Sequence, residues 1–110
     1  MTDMQRPLAV VTGASSGIGY ELAVQCARHG FDLVIAADRP LEPVLGTLLA
    51  YRARVETVEC DLATLEGVDR VVAAVGGRPV EALLANAGEG LGNAFLDQPL
   101  IRFRFLERIQ

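Results

Sequence analysis

The glycine-rich turn Gly13-Ala14-Ser15-Ser16-Gly17-Ile18-Gly19 restricts this chain more than any other feature, because of what flanks it. Before it, Leu8 to Thr12 is a continuous apolar run, the pattern of a strand buried on both faces of a parallel sheet. After it, Ile18, Leu22, Cys26 and His29 recur at i, i+4, i+8 and i+11 with Ala23 and Ala27 beside them, and Gly30 supplies a stop. In a strand–turn–helix unit, glycines let the backbone turn tightly and approach a ligand closely. The helix start then presents unpaired amides and a partial positive charge to an anion such as a pyrophosphate. The spacing G-x-x-x-G-x-G differs from the G-x-G-x-x-G of the commonest dinucleotide fingerprint, and a merely tight strand–helix turn is the alternative. A Walker loop is excluded, since it needs a lysine after its last glycine and every basic residue here is arginine.

The same alternation continues downstream. Asp32 to Ala37 reads as a second buried strand, and Pro40 suits the first turn of a helix whose stripe is Leu41, Val44, Leu45, Leu48 and Leu49. Arg54 to Cys60 reads as a third strand. Thr64 is placed to cap a helix with Leu65, Val68, Val71, Val72 and Val75 facing inward, ended by Gly76-Gly77 and Pro79. Val80 to Ala85 reads as a fourth strand. Strands alternating with helices imply right-handed crossovers and a parallel sheet covered on both faces. From Gly88 to Asn93 the sequence is glycine-rich and reads as loop, and Ile101 to Phe105 alternates like a strand, with a helix through Ile101, Phe105 and Ile109 as the competing reading.

At 110 residues the chain has room for one domain, and 51% apolar residues with 5% aromatic and no tryptophan favour an α/β core of Val, Leu, Ile and Ala. Fourteen acidic against ten basic residues, a net charge of -4 with no basic run, speak against a nucleic-acid surface. Cys26, Cys60 and the single histidine His29 form no zinc set, and both cysteines are expected to be buried and reduced. No stretch approaches the ~20 apolar residues of a membrane span, and the N-terminus lacks the layout of a signal peptide, so a cytoplasmic protein is expected.

The turn and two further motifs resemble the short-chain dehydrogenases/reductases, whose glycine turn is T-G-x-x-x-G-x-G, matched here by Thr12 to Gly19. Asp61-Leu62, after the third strand, sits where the family has an aspartate that contacts the adenine ring of the cofactor. Asn86-Ala87-Gly88, after the fourth strand, resembles the family's N-N-A-G, with Ala85 in place of the first asparagine. The resemblance implies a Rossmann-type sheet of order 3-2-1-4, truncated to the first half of the family fold. It implies a cofactor-binding unit over residues 1–97, with 98–110 departing from the pattern. Gly13, Ser15, Ser16, Gly17, Ile18, Gly19, Asp38, Arg39, Asp61, Leu62, Asn86, Ala87 and Gly88 are the residues expected around NAD or NADP. Other readings stay open at several of these places. Asp61 also suits a helix cap or turn, Ser15 and Ser16 also suit satisfaction of the turn itself, and Asn86 is expected to hold sheet and loop together more than to touch cofactor.

Which dinucleotide is bound should be decided at the end of the second strand. Asp38 would accept from the adenosine ribose hydroxyls and repel a 2′-phosphate, whereas Arg39 could reach around to one, so the balance leans to NAD, with Asp38 as a helix cap the alternative. The family's general acid/base is the tyrosine of Tyr-x-x-x-Lys. Here Tyr20 and Tyr51 are followed four residues on by Val24 and Val55, and no lysine exists. No catalytic residue and no metal ligand is therefore assigned. The expected activity of the family, hydride transfer between nicotinamide and a carbonyl or alcohol substrate, would need residues this sequence does not contain. The alternatives are a non-catalytic nucleotide-binding module and a remnant acting through a partner chain. An apolar fourth-strand edge without a neighbour would favour self-association or a partner.

Overall fold

The computed structural model describes residues 6–85. They form β1 (Leu8–Thr12), α1 (Gly17–Arg28), β2 (Asp32–Ala37), α2 (Glu42–Leu49), β3 (Val55–Glu59), α3 (Leu65–Val75) and β4 (Ala82–Ala85). The strands make one sheet in the order β3-β2-β1-β4, and every pairing is parallel. This is the expected Rossmann-type arrangement. The expected boundary at residue 97 and the tail 98–110 lie outside the described residues, as do Asn86, Ala87 and Gly88.

The apolar run of β1 is explained by its place. All five of its residues are buried, because β1 has a strand on each side and helices on each face. Side-chain alternation then divides the core in two. Leu8 and Val10 of β1 and Val34 and Ala36 of β2 pack with Val58 and with Val68, Val71, Val72 and Val75 of α3. Ala9 and Val11, with Leu33, Ile35 and Ala37, pack on the other face with Ala23, Cys26 and Ala27 of α1 and Val44 and Leu48 of α2. Edge strand β3 exposes Glu56, Thr57 and Glu59, which is how a sheet edge is kept from pairing further.

Each helix end has a local cause. α1 closes in a Schellman motif: Phe31 N donates to Cys26 O at 3.0 Å and Gly30 N to Ala27 O at 3.2 Å, with Gly30 at φ +90°. α3 begins at Thr64, whose Oγ1 accepts from Gly67 N at 3.0 Å. At its other end Arg78 donates to the carbonyls of Val75 and Ala74, both at 2.7 Å, and pairs with Glu56 at 2.6 Å, tying helix to edge strand.

Several sequence expectations are corrected in detail. Pro40 lies ahead of α2, and Pro43 occupies its first turn. The N-cap of α2 is Leu41, so Asp38 caps no helix. The buried face of α1 is Gly19, Ala23, Cys26 and Ala27, while Ile18 is 70% exposed, a rotation of the stripe toward its smallest residues that lets the helix sit close to the sheet. Leu49 and Leu65, expected inward, are exposed at the ends of their helices. Cys26 is buried and Cys60 half-buried, both free thiols.

Gly67 leaves no room for a side chain. A Cβ there would overlap the carbonyl oxygen of Asp61 and lie 2.7 Å from its carbonyl carbon. Gly67→Ala is expected to destabilise the fold by about 1–3 kcal/mol, read as a lower urea midpoint at unchanged m-value. Burial pushes the Cys26 thiol above its ordinary range. The folded state therefore holds that proton more tightly, and the stability this contributes is present below the unfolded thiol's pKa and lost as pH rises through the folded one. Iodoacetamide should accordingly label Cys26 far more slowly in the folded chain than in urea, and equal rates would contradict its burial.

Candidate functional site

Parallel pairing brings the C-terminal ends of all strands to one edge of the sheet. Thr12 pairs in register with Ala36 on one side and Ala85 on the other, and Ala37 pairs with Glu59. The segments that follow β1, β2 and β3 therefore meet along this edge. They are the glycine turn, the Asp38-Arg39-Pro40 linker and Cys60-Asp61-Leu62. Strand order also reverses at β1: the chain leaves it for β2 on one side, then returns over the opposite face through α3 to reach β4 on the other. The crevice outside such a reversal is where open α/β sheets bind ligands.

The glycine turn has the geometry its sequence requires. Gly13 and Gly17 have φ of +66° and +61°, left-handed conformations that a Cβ would strain. Gly19 is buried on the sheet side of α1. Ala14 N donates to Ala36 O at 3.3 Å, which fixes the turn against the end of β2.

The first turn of α1 is left open. Ser16 is its N-cap in extended conformation, but makes no side-chain capping bond, and no acidic residue lies in the first turn. By contrast α3 has the Thr64 cap and Glu66, and α2 has Glu42. The leading amides of a helix otherwise lack partners, and together with the helix dipole they favour an anion. Beneath the turn, Thr12 is fully buried and its Oγ1 has no hydrogen-bond partner among the described residues. A buried hydroxyl left alone costs about 1–3 kcal/mol, so the base of the turn carries an open polar valence. Thr12 opens the glycine motif in the sequence but is not among the residues expected around the dinucleotide. Its threonine at the last position of an otherwise aliphatic strand was the available signal.

Asp38 and Arg39 are exposed, and neither forms an ion pair among the described residues. Asp61 is held in a turn: its Oδ1 accepts from Ala63 N at 2.9 Å, and its carbonyl accepts from Thr64 Oγ1 at 2.7 Å. The turn reading of Asp61 is thus realised, with its carboxylate still exposed. Leu62 is buried in the α3-side core, which leaves only its backbone to a ligand. Ser15 is half-buried and Ser16 exposed.

Cys60 gathers the local charges. Burial pushes its thiol up, Arg70 pulls the other way, and the carboxylates of Asp61 and Asp38 add to the rise. The ends of β2 and β3 thus share one electrostatic environment. No group of His, Cys, Asp and Glu able to hold a metal occurs among the described residues, nor a helix long and apolar enough to cross a membrane. A recess of about 450 Å³ lies along α1 between Gly17 and Gln25.

The uncapped helix start and the two left-handed glycines together form an arrangement that favours an anion. A family model described as short chain dehydrogenase matches residues 7–104. An uncharacterized oxidoreductase of Myxococcus xanthus is 38% identical over 96 residues, 82% of this chain and 37% of the relative. An L-rhamnose 1-dehydrogenase (NAD(P)(+)) of Azotobacter vinelandii is 36% identical over 98 residues, 82% of this chain and 38% of the relative. Among solved structures, 3-oxoacyl-[acyl-carrier protein] reductase from Brucella melitensis in complex with NAD aligns with a TM-score of 0.71 at 34% identity, covering 80% of this chain and 36% of that one. L-sorbose reductase from Gluconobacter frateurii, complexed with NADPH and L-sorbose, aligns with a TM-score of 0.79 at 29% identity, covering 94% and 46%. The chain spans less than half the length of each of these proteins. The match extends over nearly all of this sequence and includes the glycine turn, the parallel sheet and its strand order, and the chain therefore belongs to the short chain dehydrogenase family.

Proposed function

We propose that this chain is the cofactor-binding portion of a nicotinamide-dependent oxidoreductase, with the glycine turn as its phosphate cradle. The observation that carries the reading is the open first turn of α1, the one described helix that neither a capping side chain nor an acidic residue satisfies. Gly13, Gly17 and Gly19 let the backbone come close to the pyrophosphate, Ser15 and Ser16 offer hydroxyls to it, and Ile18 lies exposed beside it. Asp61, with the backbone of Leu62, borders the adenine at the end of β3. Asn86, Ala87 and Gly88 belong to this reading by their motif alone, since they fall outside the described residues.

When bound, the nicotinamide supplies or accepts the hydride exchanged with a carbonyl or alcohol carbon. The chain's own residues hold and orient the dinucleotide. The 110 residues contain no lysine and no Tyr-x-x-x-Lys, so a proton donor of the family's form would come from outside this sequence. The dinucleotide favoured is NAD, because Asp38 stands exposed and without an ion pair among the described residues directly after β2, where a carboxylate accepts from the ribose hydroxyls and repels a 2′-phosphate. Arg39 beside it is the residue that would serve NADP.

The reading extends to assembly. β4 has β1 as its only strand neighbour among the described residues, and Ala82, Leu83 and Leu84 are half-buried where β1 is fully buried. Such an apolar edge is suited to pairing with further chain, in the same polypeptide or in a second one.

Calorimetric titration with NADH should give saturable binding tighter than about 1 mM, equivalent to about -4 kcal/mol. No binding at that concentration would leave the chain a remnant of the fold. Gly19→Val should weaken NADH by at least about tenfold, roughly 1.4 kcal/mol, and lower the urea midpoint as well, since Gly19 is buried against the sheet. Unchanged affinity would remove the turn from the site. Asp38→Ala should cost NADH roughly fivefold, an estimate of about 1 kcal/mol for an exposed charged hydrogen bond, and should not weaken NADPH. Equal losses for the two dinucleotides would refute Asp38 as the discriminating group.

A further inference from the structure

The linker that carries Asp38 and Arg39 is fastened at both ends to β3. At its start, Cys60 N donates to Ala37 O at 2.9 Å, continuing the β2–β3 ladder beyond the last strand residue. At its end, Leu41 N donates to Glu59 Oε2 at 2.9 Å. The side chain of Leu41 is fully buried, which anchors that end against the core as well. Between these points run only Asp38, Arg39 and Pro40, all exposed. Pro40 has a fixed φ and no N–H, so the conformational freedom of the linker is concentrated in Asp38 and Arg39.

Glu59 reaches Leu41 because of strand alternation. Val58 faces α3 and Cys60 donates to Gly67 O of that helix, so Glu59 between them points to the opposite face, over which the chain enters α2. Its own carbonyl accepts from Arg70 Nη1 at 2.8 Å, which fixes the backbone that bears the carboxylate. A carboxylate on a backbone amide is a charge-assisted bond, and it stands one residue before the start of α2, where the helix dipole also favours it.

We propose that Glu59 is a positioning residue that sets the dinucleotide preference by clamping this linker, so that Asp38 and not Arg39 meets the adenosine ribose. This rests on the reading of Asp38 given above. With the clamp released, Leu41 N–H loses its partner and the linker gains freedom at its α2 end. Arg39 is then able to turn toward a 2′-phosphate, and the two dinucleotides are discriminated less.

The test compares the ratio of NADPH to NADH dissociation constants, measured by calorimetry, in the wild-type chain, Glu59→Ala and Glu59→Gln. Glu59→Ala removes the acceptor and should lower the ratio by about fivefold, the effect of one lost charged hydrogen bond on an exposed segment. Glu59→Gln keeps an acceptor oxygen and should stay within about twofold of wild type. An unchanged ratio in a folded Glu59→Ala overturns the clamp, and a Glu59→Gln ratio as low as that of Glu59→Ala overturns it in favour of a bare charge effect. Should Glu59→Ala fail to fold, amide exchange in the wild-type chain decides. The clamp requires Leu41 N–H to exchange at least about tenfold more slowly than the Arg39 amide, and equal rates overturn it. A wild-type chain that binds neither dinucleotide defeats the cofactor reading, and the clamp with it. Binding by the wild type with no effect at Glu59 defeats the clamp alone.

Discussion

The parallel pairing of β1 with β2 on one side and β4 on the other is the constraint on which everything else in this chain depends. A parallel strand cannot be reached by a hairpin, so each connection must cross a face of the sheet, and each crossover here is a helix. Two such crossovers on one face and one on the other bury β1 completely and divide the core into two layers of aliphatic side chains. The same pairing aligns every strand end at one edge. Three segments far apart in sequence come together there because backbone register leaves them nowhere else to go.

At that edge, closed and open helix starts lie side by side. The start of α3 is closed by Thr64, and the amide preceding α2 is taken by Glu59 from the neighbouring strand. The start of α1 receives neither form of closure. Below it lies a threonine hydroxyl that is buried and unanswered. Among the described residues an uncapped helix start and a buried hydroxyl without a partner thus lie together, and an anionic group is the natural complement of such a helix start.

Much of this was legible in the residues. The sheet order was implied by the family resemblance, whereas the strand–helix alternation and the ends at Gly30, Thr64 and Gly76 follow from apolar periodicity and cap chemistry, which act over a few residues and leave a direct trace. The glycine turn was legible for the same reason. What sequence reading misplaced depended on packing. Ile18 fits a helical stripe as well as Gly19 does, but close approach of α1 to the sheet selects the small residue for the inner face. Pro40 and Pro43 are both acceptable at a helix start, and the burial of Leu41 decided between them. Glu59 was missed, and the orphaned hydroxyl of the motif's Thr12 was not foreseen, because their significance lies in register: one is notable for a partner eighteen residues away, the other for a partner it lacks among the described residues.

The two outer strands of the sheet differ in kind. β3 turns outward a row of acidic and hydroxyl side chains, Glu56, Thr57 and Glu59, with Glu56 further engaged by Arg78. β4 reads Ala-Leu-Leu-Ala and carries no charge at all. A strand added beside β3 would have to bury carboxylates, whereas one added beside β4 would bury only aliphatic surface. Among the described residues the sheet is therefore polar in its capacity for growth, suited to lengthen from its β4 side, and such an extension leaves the ends of β2 and β3, with the Asp38-Arg39-Pro40 linker, uncovered.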